Sequence, residues 1–179
     1  MSIEQLAETA LAMVAPGKGI IAIDESNTTI KKRFDGVGIE CTEENRRAYR
    51  EMLLTTPNLS KYISGAILFD ETLRQSTKDG VPFAKVMTDN GMIPGIKVDK
   101  GTHPLAGFPG EVVTEGLDGL RARLEEYYKL GARFAKWRAV INSATTSRRA
   151  PASRPTRTRW RAMPRCARSR AWCRWWSRK

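Results

Sequence analysis

Gly19-Ile20-Ile21-Ala22-Ile23 is a five-residue apolar run, opened by a glycine and stopped by Asp24-Glu25-Ser26. Such a run is too short for a helix and has no polar alternation, which suits a strand buried on both faces. The same design recurs three times. Gly65-Ala66-Ile67-Leu68-Phe69 stops at Asp70-Glu71, Pro94-Gly95-Ile96-Lys97-Val98 at Asp99-Lys100, and Arg133-Phe134-Ala135-Lys136-Trp137 at Arg138. Each strand therefore has polar residues at or near its C-terminal end.

Helical spacing fills the intervals. Ser2 and Gln5 read as a capping box ahead of Ile3, Leu6, Ala7, Ala10, Leu11 and Val14, and Pro16-Gly17 ends that helix. A second helix is predicted from Thr42 to Leu54. A third carries Leu117, Leu120, Leu124, Tyr127 and Tyr128 on one face, with Gly131 as its closing residue. Strands alternating with helices predict βα units and a parallel sheet. Four strand signals fit about the first four βα units of an eight-stranded barrel, a fold that takes about 250 residues. The expected fold class is α/β, an incomplete (β/α)8 barrel over residues 1–142.

Residues 143–179 differ in kind. They hold twelve of the thirty-one Lys and Arg residues and no Asp or Glu, so residues 1–142 balance nineteen basic against nineteen acidic side chains. The net charge of +12 thus lies wholly in the tail, with four of the five tryptophans and two of the three cysteines. No helix or strand period is visible there, and the segment is expected to be unstructured.

Three unevenly spaced cysteines supply neither a disulfide framework nor metal-ligand spacing. The first fifteen residues contain Glu4 and Glu8 and lack a basic leader, and no stretch approaches about 18 apolar residues. A cytoplasmic protein with no membrane partner, metal or cofactor is the expectation.

In barrels of this type, chemistry sits at the C-terminal ends of the strands. The residues to weigh there are Asp24, Asp70, Lys97, Lys100, Lys136 and Arg138. Alternation puts Phe134, Lys136 and Arg138 on one face of their strand, opposite Arg133, Ala135 and Trp137. Lysines aimed into a barrel are costly unless anions or carboxylates meet them, so the group reads as an anion site. Asp24 is the natural partner of Lys97 or Lys136. Gly17-Lys18-Gly19 lacks the spacing of a phosphate loop and reads as a turn. His103 is expected to be a solvated residue of a Gly/Pro-rich loop rather than a base, and Cys41 to be structural or inert.

Seven strings occur in order: Ala15-Pro-Gly-Lys-Gly-Ile20, Asp24-Glu-Ser26, Thr42-Glu-Glu-Asn-Arg-Arg47, Gly95-Ile-Lys-Val-Asp-Lys-Gly101, Pro104-Leu-Ala-Gly107, Gly116-Leu-Asp-Gly-Leu120 and Phe134-Ala-Lys-Trp-Arg138. With these, residues 1–142 resemble the N-terminal half of class I fructose-bisphosphate aldolases. The resemblance implies cleavage of fructose 1,6-bisphosphate to dihydroxyacetone phosphate and glyceraldehyde 3-phosphate through a lysine Schiff base, without metal. It also implies residue roles. Asp24 resembles the acidic residue near the substrate carbonyl and C4 hydroxyl. Lys136 resembles the lysine that assists proton transfers around the carbinolamine. Ser26 and Lys97 resemble phosphate ligands, and Arg33 and Arg138 further substrate contacts. The family's Schiff-base lysine and catalytic glutamates fall beyond the similarity, so this chain is expected to be inactive. The family is commonly homo-oligomeric, which this length of chain puts in question.

The tail constrains its own DNA, because tryptophan has one codon. Trp175-Trp-Ser-Arg-Lys179, read one base earlier with GC-rich codons, yields Val-Val-Glu-Pro-Glu, as in the family's glutamate-bearing strand. The tail therefore reads as aldolase sequence out of frame. Two alternatives stand beside this: a basic tail that binds nucleic acid or an anionic membrane through Arg and Trp, which is the weaker because out-of-frame GC-rich DNA yields the same composition, and a non-catalytic half-barrel that binds sugar phosphates.

Overall fold

The computed structural model describes residues 3–141 and the backbone of residues 173–175. The elements run α1 (Ile3–Met13), β1 (Gly19–Ile23), α2 (Asn27–Asp35), α3 (Glu43–Leu54), α4 (Leu59–Tyr62), β2 (Ile63–Leu68), α5 (Asp70–Arg74), α6 (Phe83–Asp89), β3 (Ile93–Lys97), β4 (Thr102–Pro104), β5 (Val112–Thr114), α7 (Leu120–Lys129), β6 (Phe134–Lys136) and β7 (Cys173–Trp175). Strands β1, β2, β3, β6 and β7 form one sheet in that order, every pair parallel. All four strand expectations hold, and the alternation with helices makes this an α/β fold.

Period-two alternation gives the sheet two faces with different tasks. Ile23, Ala66, Leu68, Ile96, Val98, Ala135 and Trp137 point outward and pack with Leu54 of α3, Phe83 and Met87 of α6, and Leu120, Leu124 and Tyr127 of α7 in one buried cluster. On the opposite, inner face, Ile67 and Phe134 bury against Met13 at the end of α1, with Ile20 and Ile93 beside them. Phe134 is fully buried, and its ring lies where a Cβ on Gly95 would stand, 2.2 Å from the nearest ring atom. Glycine at 95 is thus what lets an aromatic ring cross the neighbouring strand.

The helix ends follow their local chemistry. Thr42 caps α3, its side chain accepting from the Asn45 N–H at 3.1 Å. After α7 the chain turns through Gly131 at φ 105°, a conformation that favours glycine. Ser2 of the expected capping box lies outside the described residues.

Two expectations need correction. The Gly/Pro-rich segment after β3 is an antiparallel hairpin, β4 with β5, and His103 sits on β4, paired with Val113. Its three-residue strands are too short to register as a period-two pattern. The tail was expected to hold no strand, yet Cys173–Trp175 pairs in parallel with β6, Phe134 opposite Cys173 and Lys136 opposite Trp175. An edge strand offers unpaired N–H and C=O groups to any extended backbone, a requirement composition does not encode. The rest of the tail expectation lies outside the described residues.

Candidate active site

The inner-face alternation, carried just past the strand ends, brings Ala22 of β1 and Asp24 after it, Ile67 of β2 and Phe69 after it, Lys97 of β3 and Asp99 after it, and Lys136 of β6 and Arg138 after it around one cavity of about 1020 Å³. Seven basic and five acidic side chains line it, a balance that favours an anion. All six sequence-predicted site residues, Asp24, Ser26, Arg33, Lys97, Lys136 and Arg138, lie on its wall.

Lys136 Nζ donates to Asp24 Oδ2 at 2.5 Å, and only 12% and 10% of the two side chains is exposed. Their strands are three places apart in the sheet, about 14 Å if the sheet were flat. A lysine and an aspartate cannot span that end to end, so the sheet curls inward to bring them together. Lys97 stands beside Lys136 in register, and its Nζ is 3.6 Å from Asp99. Each lysine thus has its own carboxylate, which offsets the repulsion between two ammonium groups on adjacent strands.

Asp99 has no exposed side-chain surface. It accepts from the Arg138 N–H at 3.3 Å and the Gly101 N–H at 3.2 Å, so it orients both the end of β6 and the start of the hairpin. Arg138 Nε is buried without a hydrogen-bond partner, a donor in the cavity wall left for an acceptor.

Ser26 is the N-cap residue of α2, with extended backbone. Its Oγ lies 3.0 Å from the Thr28 hydroxyl and 3.2 Å from that of Thr29, so three hydroxyls and a helix start meet the cavity. Arg33, on the same helix, is half-exposed and ion-paired to Glu25. The other Glu25 oxygen is 2.9 Å from Arg50 of α3.

Asp70 and Lys100 also line the cavity, but Asp70 is tied to Arg74 at 3.1 Å. Arg74 also pairs with Glu126 of α7, and burial, with the Asp70 carboxylate nearby, pushes the Tyr127 hydroxyl upward from its ordinary pKa. His103 is half-exposed on its strand, 3.7 Å from Glu115, outside the cavity wall. Cys41 is partly buried, with its sulfur 3.8 Å from Arg46 Nη1.

Glu25, Arg50, Asp99 and Arg123 escaped the sequence reading of site roles. Arg123, on α7, donates to the Val98 carbonyl at 3.0 Å and to the Gly116 carbonyl, clamping the segment after β3. Its usable signal was Gly116, whose φ of 122° marks a backbone packed closely on Lys100 and Val98.

A curled parallel α/β sheet with a lysine–aspartate pair and a cation-rich wall at its C-terminal edge has the layout of a barrel-type site at the strand ends. The family described as fructose-bisphosphate aldolase class-I matches residues 5–166, and the chain belongs to it. The chain is 86% identical over 142 residues to a probable fructose-bisphosphate aldolase class 1 of Xanthomonas campestris, covering 79% of this chain and 42% of that protein. It is 58% identical over 139 residues to chloroplastic fructose-bisphosphate aldolase 3 of Arabidopsis thaliana, covering 78% and 36%. Among solved structures, the fructose-bisphosphate aldolase from Plasmodium falciparum, in complex with TRAP and a small-molecule inhibitor, superposes with a TM-score of 0.91 at 46% identity, over 96% of this chain and 50% of the other. The chain spans about two fifths of the length of its bacterial relative. Among the described residues, no helix is long and apolar enough to cross a membrane and no His/Cys/Asp/Glu group is arranged to hold a metal.

Proposed function

We propose that the cavity binds a sugar bisphosphate of the fructose 1,6-bisphosphate type and that this chain does not cleave it. The observation that carries the reading is the enclosed Lys136–Asp24 pair beside the unpartnered Arg138 Nε. Asp24 is assigned to the region of the substrate carbonyl and C4 hydroxyl, accepting a hydroxyl proton. Lys136 is assigned to proton transfer at the carbonyl end, its ammonium held ready by Asp24. Ser26 and Lys97 are assigned to a phosphate, through a hydroxyl and a point charge, and Arg33 and Arg138 to further substrate contacts through their planar donors.

Retro-aldol cleavage through a Schiff base needs a neutral amine over the carbonyl. Lys97 and Lys136 are both engaged with carboxylates, and an ion pair uses the ammonium form. Within this reading the tail is aldolase sequence out of frame, which sequencing the gene tests: no single-base change near codons 142–150 restoring an aldolase frame refutes it.

The functional test has two arms. Calorimetry is expected to show fructose 1,6-bisphosphate binding more tightly than fructose 6-phosphate, with the difference reduced in Lys97→Met. Borohydride treatment with dihydroxyacetone phosphate is expected to leave the mass unchanged. A trapped adduct on either lysine overturns the claim of inactivity, and equal weak binding of both sugars overturns the bisphosphate site.

A further inference from the structure

Arg50 occupies a costly position. It sits in α3, 3% exposed, where an aliphatic side chain would pack without desolvating a charge. Burial pushes its guanidinium below the ordinary arginine value, partly opposed by the Glu25 carboxylate. Such a residue persists where its donors have a task that apolar packing does not perform.

Those donors converge on one loop. Nη2 donates to the Glu25 carbonyl oxygen at 3.1 Å, and Nη1 lies 2.9 Å from the Glu25 carboxylate, close but out of hydrogen-bond alignment. Nε donates to Thr72 Oγ1 on α5 at 3.4 Å, and the guanidinium lies 5.3 Å from the Tyr49 ring centre. The other Glu25 oxygen takes Arg33 of α2. Arg50 therefore ties the turn after β1 to the helix after β2, from behind the cavity.

That turn carries Asp24 and Ser26. Sheet pairing holds β1 as far as Ile23, opposite Leu68. On the other side, α2 holds the chain from the Ser26 carbonyl, which accepts from Thr29 and Ile30 N–H at 2.9 Å each. Glu25 lies between these two anchors, and Arg50 grips both its main chain and its side chain. We propose that Arg50 is a positioning residue: by fixing the Glu25 peptide it keeps the Asp24 carboxylate against Lys136 and the Ser26 hydroxyl on the cavity wall. The grip needs the planar fork of a guanidinium, because a lysine presents a single charge point at another depth. This inference rests on the reading of the cavity as a sugar-bisphosphate site, but its first test requires no ligand.

Hydrogen exchange by mass spectrometry on the full chain, with Arg50→Lys and Arg50→Ala, provides that test. Exchange over residues 25–30 is expected to rise about tenfold, with β3 protection unchanged. Millimolar guanidinium, but not ammonium, restores it in Arg50→Ala. Should either variant fail to fold, Thr72→Val removes one Arg50 acceptor and is expected to shift the same segment less, in the same direction. Unchanged exchange over 25–30 overturns the proposal. A uniform rise across β3 and β6 also overturns it, since that marks general loosening. Fructose 1,6-bisphosphate titration of the same proteins separates the two readings. An exchange pattern as expected with no binding by the parent chain sinks the ligand assignment alone, whereas parent binding with unaltered exchange in the variants sinks the Arg50 role alone.

Discussion

Replacing Lys136 with methionine keeps the length of the side chain and removes its charge, leaving Asp24 almost buried without its partner. The pair is 2.5 Å apart with 12% and 10% of the side chains exposed. At an effective dielectric of about 20, unit charges at that distance attract by about 7 kcal/mol. Desolvation of two ions, at several kcal/mol each, offsets most of this. The pair as a whole is therefore worth little, while removing one member costs about 3–5 kcal/mol. Lys136→Met and Asp24→Asn are each expected to lose that much. The double variant, which buries no unpaired charge, stays within about 2 kcal/mol of the parent. Urea unfolding followed by far-UV circular dichroism measures all four proteins and gives the coupling energy directly. Single-variant losses that add to within about 0.5 kcal/mol in the double variant would refute the reasoning, because they would show the two charges to be separately solvated.

Two further outcomes are expected. Gly95→Ala places a Cβ 2.2 Å from the Phe134 ring and should cost about 3 kcal/mol in urea unfolding, with Phe134→Leu in the same chain recovering part of it; an unchanged midpoint would show the ring able to move aside. The Lys78 N–H, and less strongly the Arg47 guanidinium, hold the Glu51 carboxyl below the usual carboxylate range, against an opposing push from burial. A folded-state value below the unfolded one adds stability above the ordinary carboxylate range and loses it as pH falls through that range. Glu51→Gln should therefore destabilise the protein at pH 7 and shrink its loss of stability between about pH 5 and 3; a parallel acid limb in the two proteins would contradict this.

The candidate site was legible to the extent that it sits on strands and their ends. Alternation around Phe134-Ala-Lys-Trp-Arg138 put Lys136 and Arg138 on one face, and the strand-end rule selected Asp24 and Lys97. The family resemblance then added Ser26, within one of the quoted strings, and Arg33, outside them. What supports these groups was not legible. Arg50 stands 25 residues from Glu25, and Asp99 is 39 residues from Arg138. A charged residue on a helix reads by default as a solvated one. Only packing reveals that Arg50 points inward.

From local order alone come the four strands, the parallel α/β class, the capped helix after Thr42 and the contrast between residues 1–142 and the basic tail, because periodicity, turn residues and charge count are properties of neighbours in the chain. Three things needed the tertiary structure. The curl of the sheet brings Asp24 to Lys136 across three strand positions, the hairpin gives His103 a place on a strand, and the open edge of β6 takes up Cys173–Trp175. Each depends on backbone groups or side chains that are distant in sequence, and pairing between them is set by the shape of the folded sheet rather than by either segment's own composition.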